Sequence, residues 1–166
     1  MLAYLFWHQP RAGVDPSEYE ARLAAFHAAL GAASRAERVR GAPWMDGHGY
    51  VDWYFVADWA DIGALNQAAV TGAAGVAHAA VAELTGWGVG GVMALVTGEH
   101  GFRPAWRWLA KREGEAYPDF YARMPAGGAL WRRQLVLGPH PEFAASGEGD
   151  EGARTAHELV WGHATA

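Results

Sequence analysis

Apolar and polar positions alternate along several short segments of the chain, and this pattern predicts β-strands. The clearest is Tyr50–Ala57, in which Tyr50, Asp52 and Tyr54 share one face. The apolar, aromatic segment Leu2–Gln9 predicts a first strand, whereas Glu37–Asp46 is ambiguous and could be a strand entering a turn. Four further strands are predicted at Val92–Thr97, Ala105–Lys111, Ala129–Gly138 and Thr155–Trp161.

A different spacing predicts helices. Asp15-Pro16-Ser17-Glu18 has the residues of a helix start, because Asp15 can accept bonds from free amides and Pro16 suits the first turn. Apolar residues three and four positions apart then form one helical stripe that ends before Gly31. The members of this stripe are Tyr19, Leu23, Phe26 and Leu30.

Three more helices are predicted further along the chain. Asp58 begins one that ends near Gly72, an alanine-rich one spans Ala73–Thr85, and a short one spans Pro118–Met124. The glycine-rich segment Gly86–Gly91 is interpreted as a flexible connection to the next strand, and Pro139–Gly152 as a loop.

The order of elements in the first half is βαββαβ, which is the ferredoxin-like unit of an α+β fold with antiparallel strands. A shift of 101 positions places Trp7 on Trp108 and Arg22 on Arg123, which indicates an internal duplication. We therefore expect a first unit over residues 1–98 and a shortened second unit over 99–166, packed as one globular domain. Because the second unit has no second helix, the pattern leaves open whether the sheet closes into a barrel.

On the strands Leu2–His8 and Tyr50–Ala57 and the helix DPSEYEARLAAF, the chain resembles the dimeric α+β barrel superfamily. That superfamily pairs two ferredoxin-like sheets into a barrel, either between chains or by tandem duplication, and includes antibiotic-biosynthesis-type monooxygenases, muconolactone-isomerase-like proteins and haem-binding barrel proteins. The resemblance implies a homodimer and a small-molecule pocket. It rests on element order alone, so no active-site residue is carried over from it.

Composition narrows the chemistry. The chain of 166 residues has no cysteine, which excludes disulfides, thiolate nucleophiles and iron–sulfur clusters. A net charge of −5 disfavours nucleic acid as a partner. The N-terminal segment has no leader pattern, and the apolar run Val89–Val96 is far shorter than the about 20 residues of a membrane span, so we expect a cytoplasmic protein without a membrane partner.

The sequence allows more than one role for its histidines and tryptophans. The eight histidines form no metal-binding motif, so we expect no metal site and no cofactor, with haem held by a histidine as a minor alternative. Nine tryptophans either fill the core or shape a ligand pocket.

Polar residues on otherwise apolar strand faces are the candidate site. His8 shares a face with Tyr4 and Phe6, and Asp52 lies between two tyrosines on a strand that should be half buried. A buried carboxylate needs a partner, which could be His8 or an arginine of the second half, Arg107 or Arg133. His8, Asp52 and Tyr54 are therefore the candidate catalytic residues. The candidate ligand-pocket residues are Tyr4, Phe6, Tyr50, Trp108, Arg107, Trp131 and Arg133.

Three classes of function fit this sequence. The first is a cofactor-free enzyme, of oxygenase or isomerase type, that acts on an aromatic or polyketide-like compound. The second is a non-catalytic protein that binds a small-molecule ligand in the same pocket. The third is a structural or interaction protein whose interior is filled by tryptophan and leucine side chains.

Overall fold

A computed structural model describes residues 1–124, 127–135 and 138–162 of the chain. Within these residues the protein has eight strands and four helices. In chain order they are β1 (Leu2–Pro10), α1 (Pro16–Leu30), β2 (Ser34–Arg40), β3 (His48–Val56), α2 (Trp59–Ala69), α3 (Gly72–Ala82), β4 (Thr85–Thr97), β5 (Ala105–Leu109), α4 (Tyr117–Ala122), β6 (Leu130–Arg133), β7 (Phe143–Ala145) and β8 (Ala153–Trp161).

The first two helices begin at the residues that the sequence predicts. The Asp15 carboxylate accepts hydrogen bonds from the amides of Ser17 and Glu18, which have no partner inside the helix. Asp58 caps α2 in the same way. Helix α1 ends at Gly31, whose φ of 64° lies in the left-handed region that glycine adopts without strain.

All eight strands form one antiparallel sheet that closes on itself in the order β1-β3-β2-β8-β5-β7-β6-β4. Strand β4 pairs with both β1 and β6, and β2 pairs with both β3 and β8, so the two halves of the chain meet at two seams. The α+β class with an antiparallel sheet is confirmed. The question that the sequence left open is answered as well, because the barrel closes without a helix between β7 and β8.

Large aromatic side chains fill the inside of the barrel. Because successive side chains on a strand point to opposite faces, Trp7, Trp53, Trp106, Trp108 and Trp131 all point inward, and each is at most 1% exposed. Trp53 stacks against Trp106 at a ring-centroid distance of 5.4 Å. Trp7 meets Trp108 edge to face at 5.1 Å.

Three helices cover the outer face of the strands of the first half. Tyr19, Leu23 and Phe26 of α1 pack against the outward side chains of β1 and β3, and Val81 of α3 joins the same cluster. The short α4 covers strands of the second half through Phe120, which stacks on Phe143 at 4.0 Å. The barrel therefore has two apolar layers, one inside the sheet and one between the sheet and its helices.

Several predicted boundaries were wrong. Gly86–Gly91 is part of β4 and not a flexible connection, since Trp87–Gly91 pairs residue by residue with β1 and the register shifts only at Gly86. The predicted loop Pro139–Gly152 contains β7, a strand of only three residues that is too short to show alternation. The ambiguous segment resolves as β2, which ends at Arg40 and not near Asp46. In the predicted strand Ala129–Gly138 only Leu130–Arg133 is a strand, and residues 136–137 lie outside the described ones.

None of the helices in the described part of the chain combines the length and the apolar character needed to cross a membrane.

If the inward tryptophans hold the barrel together, the variant Trp53→Ala should lose roughly 3–5 kcal/mol of unfolding free energy, because it leaves a large cavity in a closed core. The matched control is Trp59→Ala, since Trp59 is 50% exposed on α2 and its loss should change stability by less than about 0.5 kcal/mol. Urea unfolding followed by circular dichroism measures both. Equal losses for the two variants would contradict a tryptophan-filled interior.

Candidate functional site

The outer face of β1 and β3, under helix α1, carries the polar residues that the sequence singled out. In the antiparallel register Phe6 lies opposite Asp52, and His8 lies opposite Tyr50. His8 and Asp52 therefore sit one diagonal step apart on the same face of the sheet, within reach of each other's side chains. Both are almost completely buried, at 1% and 2% exposure.

Asp52 is shared by two histidines. The Nε2 atoms of His8 and His27 each lie 3.3 Å from the same oxygen, Oδ1. The other oxygen, Oδ2, accepts a hydrogen bond of 3.0 Å from the hydroxyl of Tyr54. The three residues approach the carboxylate from β1, α1 and β3, so the cluster fastens the helix to the sheet.

Hydroxyl groups hold the far nitrogen of each imidazole. Nδ1 of His8 lies 2.6 Å from the hydroxyl of Tyr19, which in turn lies 2.9 Å from Oγ1 of Thr85. Nδ1 of His27 lies 2.8 Å from Oγ of Ser34. Each imidazole is thus hydrogen-bonded at Nδ1, whereas its Nε2 meets Asp52 at ion-pair distance only.

The charge of Asp52 is maintained by its neighbours. Burial opposes ionisation of the carboxyl, but His8 and His27 outweigh it and lower the pKa of Asp52 below its usual range. Burial, together with the nearby carboxylate, raises the pKa of Tyr54 well above its ordinary value. At neutral pH the cluster therefore contains a carboxylate that accepts bonds and a tyrosine hydroxyl that keeps its proton.

A cavity of about 640 Å³ lies between the outer face of the sheet and helices α1, α2 and α3. His8, Asp52 and Tyr54 form its polar end, together with the hydroxyl of Thr85. The other wall residues are mostly apolar or aromatic: Tyr4, Phe6, Leu23, Phe26, Leu30, Ile62, Gly63, Leu65, Asn66, Ala69, Val70, His78, Val81, Ala82, Gly86, Trp87 and Gly88. This combination of an apolar wall and a few convergent polar groups is typical of a small-molecule site.

The floor of the cavity is built from stacked rings. Along β1, Tyr4 stacks on Phe6 at 6.5 Å and Phe6 on His8 at 5.5 Å, each pair within 19° of parallel. On the neighbouring strand β4, the positions that these rings cover are occupied by glycines. A Cβ atom on Gly88 would come within 2.4 Å of the Phe6 ring, so the rings lie flat only because position 88 has no side chain.

The structure brings together one part of the predicted set and separates the rest. His8, Asp52, Tyr54, Tyr4 and Phe6 all line the cavity. Tyr50 is buried beside them, stacks on His8 at 5.6 Å, and donates a hydrogen bond to Glu20.

The remaining predicted pocket residues lie away from the cavity. Trp108 and Trp131 point into the barrel, on the opposite face of the sheet from His8. Arg107 and Arg133 donate to backbone carbonyls of the second half, at Gly147 and His140. The partners of Asp52 are therefore two histidines, and neither arginine bonds to it. Alternation along one strand shows which residues share a face. It does not show which faces of strands in the two halves line the same cavity.

His27 is the site residue that the sequence analysis missed. It follows Phe26 directly and lies four positions after Leu23 and eight after Tyr19, so it belongs to the buried stripe of α1. A histidine on the apolar face of a helix opposite a strand carboxylate was the available signal. Thr85 gave no such signal, because it was predicted to be the last residue of the alanine-rich helix Ala73–Thr85.

A second buried polar network lies inside the barrel. Glu37 binds Nδ1 of His157 at 2.6 Å, and Nε2 of His157 lies 2.7 Å from the hydroxyl of Thr155. Arg35 also pairs with Glu37, and Trp108 donates its indole N–H to Thr155. These contacts pair most of the buried polar groups of the network, which lies on the opposite face of the sheet from His8 and Asp52.

The cavity does not fit a haem. Its wall has two histidines that could offer an axial imidazole, but Nε2 of the buried His8 faces Asp52, and His78 is exposed on α3. Among the described residues that line it there is no lysine or arginine to pair with the propionates of a haem. Among residues 1–124, 127–135 and 138–162, no group of three or more histidine and carboxylate side chains is arranged to hold a metal ion.

No family model matches the chain, and the comparisons with curated proteins and with solved structures found no match.

The lowered pKa of Asp52 makes a prediction about stability and pH. The Asp52 carboxyl ionises more easily in the native protein than in the unfolded chain, where its pKa is about 3.9. Its contribution to the unfolding free energy is therefore complete above about pH 3.9 and is lost as the pH falls below this value. We expect Asp52→Asn to lower the unfolding free energy by roughly 3 kcal/mol at pH 7, since it leaves buried groups without their partner. This difference should shrink below about pH 4.

The control for that experiment is Asp46→Asn, because Asp46 is exposed in the turn before β3. Urea unfolding of the wild type and both variants between pH 3 and pH 8 measures the effect. A difference between the wild type and Asp52→Asn that stays constant over this range would show that the charge of Asp52 does not contribute to stability.

Proposed function

We propose that the protein is a cofactor-free enzyme that binds a small aromatic or polyketide-like molecule in the outer-face cavity and transfers a proton through His8. The observation that carries this proposal is the position of a buried His8–Asp52 pair at the polar end of an otherwise apolar cavity. Solvent is largely excluded from this end, where general acid–base chemistry is effective because charges are poorly screened.

Each polar residue has a distinct role in this proposal. His8 accepts a proton from the ligand or returns one to it through Nδ1, which the hydroxyls of Tyr19 and Thr85 link to the cavity wall. Asp52 is a positioning residue that stabilises the imidazolium formed in this step. Tyr54 keeps its proton and donates to Asp52, so it holds the carboxylate in place.

The shape of the cavity favours a planar ligand. The stacked rings of Tyr4, Phe6 and His8 present parallel faces to the cavity. On the adjacent strand β4, Gly86 and Gly88 have no side chains that would project beside these rings. Offset stacking on such a floor stabilises an aromatic ring. A carbon acid within a phenol or a 1,3-dicarbonyl compound would then meet His8 at the end of the floor.

A non-catalytic ligand-binding protein is the second candidate. The same cavity supports it, and the two differ only in whether His8 exchanges protons with the bound molecule. A packing-only protein is supported by the tryptophan-filled barrel interior, but that alternative leaves the outer-face cavity without a role.

We also propose that the barrel is two ferredoxin-like units, residues 1–98 and 99–166, fused in tandem. The spatial order β4-β1-β3-β2 of the first half has the same form as β8-β5-β7-β6 of the second. Trp7 and Trp108, which match in the repeat, point into the barrel and touch each other. The predicted homodimer and cytoplasmic location rest on the family resemblance and composition, and light scattering tests the first of them.

Ligand binding is tested by filling the cavity from helix α2. Ala69 lines the cavity, whereas its neighbour Ala68 is exposed on the same helix, so Ala69→Trp should abolish binding and Ala68→Trp should preserve it. Native mass spectrometry with 1,3-dihydroxynaphthalene as the probe measures the bound fraction. Equal binding by both variants would place the ligand elsewhere.

Proton transfer is tested in D₂O with the same probe. The wild type should accelerate exchange of the proton on the ring carbon between the two hydroxyl-bearing carbons, and His8→Gln should lose at least about 100-fold of that acceleration while still binding the probe. Mass spectrometry of the recovered probe gives the exchange rate. Binding without accelerated exchange in the wild type would favour the non-catalytic alternative.

A further inference from the structure

Asp52 lies between two histidines, and only one of them belongs to the cavity wall. His8 and Asp52 line the cavity, whereas His27 has a fully buried side chain behind Asp52. Both Nε2 atoms point at the same carboxylate oxygen from 3.3 Å. Because one oxygen serves both imidazoles, the protonation state of one must affect the other.

The hydroxyls beyond each imidazole allow both protonation states. On the His8 side, Tyr19 lies between Nδ1 and Thr85, whose hydroxyl can donate to the carbonyl of Val81 at 3.0 Å. When His8 is neutral, Tyr19 can donate to its Nδ1; when it is charged, the hydrogen bonds reverse and Nδ1 donates to Tyr19. A hydroxyl both donates and accepts, so this reversal requires only rotation of its hydrogen.

The same arrangement exists on the His27 side, where it leads away from the cavity. Nδ1 of His27 contacts Ser34, whose hydroxyl can donate to the carbonyl of Ala32 at 3.1 Å. Ser34 and Ala32 are partly exposed at the end of α1, whereas Thr85 lies on the cavity wall. Two hydrogen-bonded chains thus meet at Asp52, Thr85–Tyr19–His8 from the cavity and Ser34–His27 from the surface, and each ends with an Nε2 at ion-pair distance from Oδ1.

We infer that His27 is a positioning residue that shares Asp52 with His8 and connects this pair to solvent through Ser34. Asp52 remains a carboxylate throughout, because the two imidazoles hold its pKa below the usual range. One negative charge therefore balances both imidazoles. A proton on His8 makes it less favourable for His27 to take up a proton from water through Ser34, and the reverse also holds.

Few other titratable groups lie near His8 and His27 that could couple their protonation. The titratable groups that surround the two imidazoles are Tyr19 on α1, Tyr50, Asp52 and Tyr54 on β3 and, beyond Phe26, His78 on α3. Strands β2 and β4 contribute only the neutral hydroxyls of Ser34 and Thr85. The tyrosines keep their protons throughout the range in which histidine titrates, so Asp52 is the shared charge.

The catalytic purpose of His27 rests on the proposed function, but its coupling to His8 is measured without any ligand. In protein labelled with ¹⁵N at histidine, the imidazole resonances of His8 are followed by NMR from pH 4 to pH 9. In the wild type we expect His8 to titrate in a broadened, two-step curve. In His27→Gln it should follow a simple one-site curve, because glutamine cannot take up a proton.

Two further variants complete the test. Ser34→Ala removes the acceptor for the Nδ1 proton of His27 while keeping the contact with Asp52, so it should narrow the His8 curve without the risk of unfolding that a core substitution carries. His48→Gln, at the exposed start of β3, should leave the curve unchanged. A wild-type one-site curve for His8, or a two-step curve that persists in both His27→Gln and Ser34→Ala, would overturn the inference. Failure of ligand binding alone would leave this result intact and would count only against the proposed function.

Discussion

The burial of one carboxylate between two histidines is the interaction on which the candidate site depends. Asp52 is 2% exposed, and a lone charge at such a position would cost several kcal/mol. Its partners come from β1, α1 and β3, so satisfying this charge also fixes helix α1 against the sheet. A stability requirement and an arrangement suited to proton transfer are therefore met by the same atoms.

The tryptophan-filled barrel explains why the cavity lies outside the sheet. Five buried indoles occupy the interior of the closed eight-stranded sheet, whereas the cavity lies on its outer face. Helix α2 buries no residue completely, whereas α1 and α3 both do. The space between these helices and the glycine-bearing strand β4 is where a ligand of moderate size can enter.

Local patterns predicted the parts of this structure that depend on local physics. The caps at Asp15 and Asp58, the stripe of α1 and the faces of β1 and β3 follow from spacing along one element, and the structure has them. Spacing along single elements could not predict which faces of different strands lie on the same side of the closed sheet. Trp108 and His8 were placed in one pocket, although strand alternation and the closed sheet put them on opposite sides of it. His27 was overlooked because a single histidine within an apolar stripe is a weak signal until its partner on another element is known.

A ligand bound in the outer-face cavity must lie against His8 if this residue handles its proton. The most direct test is to add 1,3-dihydroxynaphthalene to protein labelled with ¹⁵N at histidine and to record the imidazole resonances of His8 and His140. His140 is buried on the tryptophan side of the sheet, where it packs against Trp108 at 4.9 Å, so it is an internal reference. We predict that bound probe shifts the His8 resonances and leaves those of His140 unchanged. Saturating probe that leaves His8 unmoved would contradict the account.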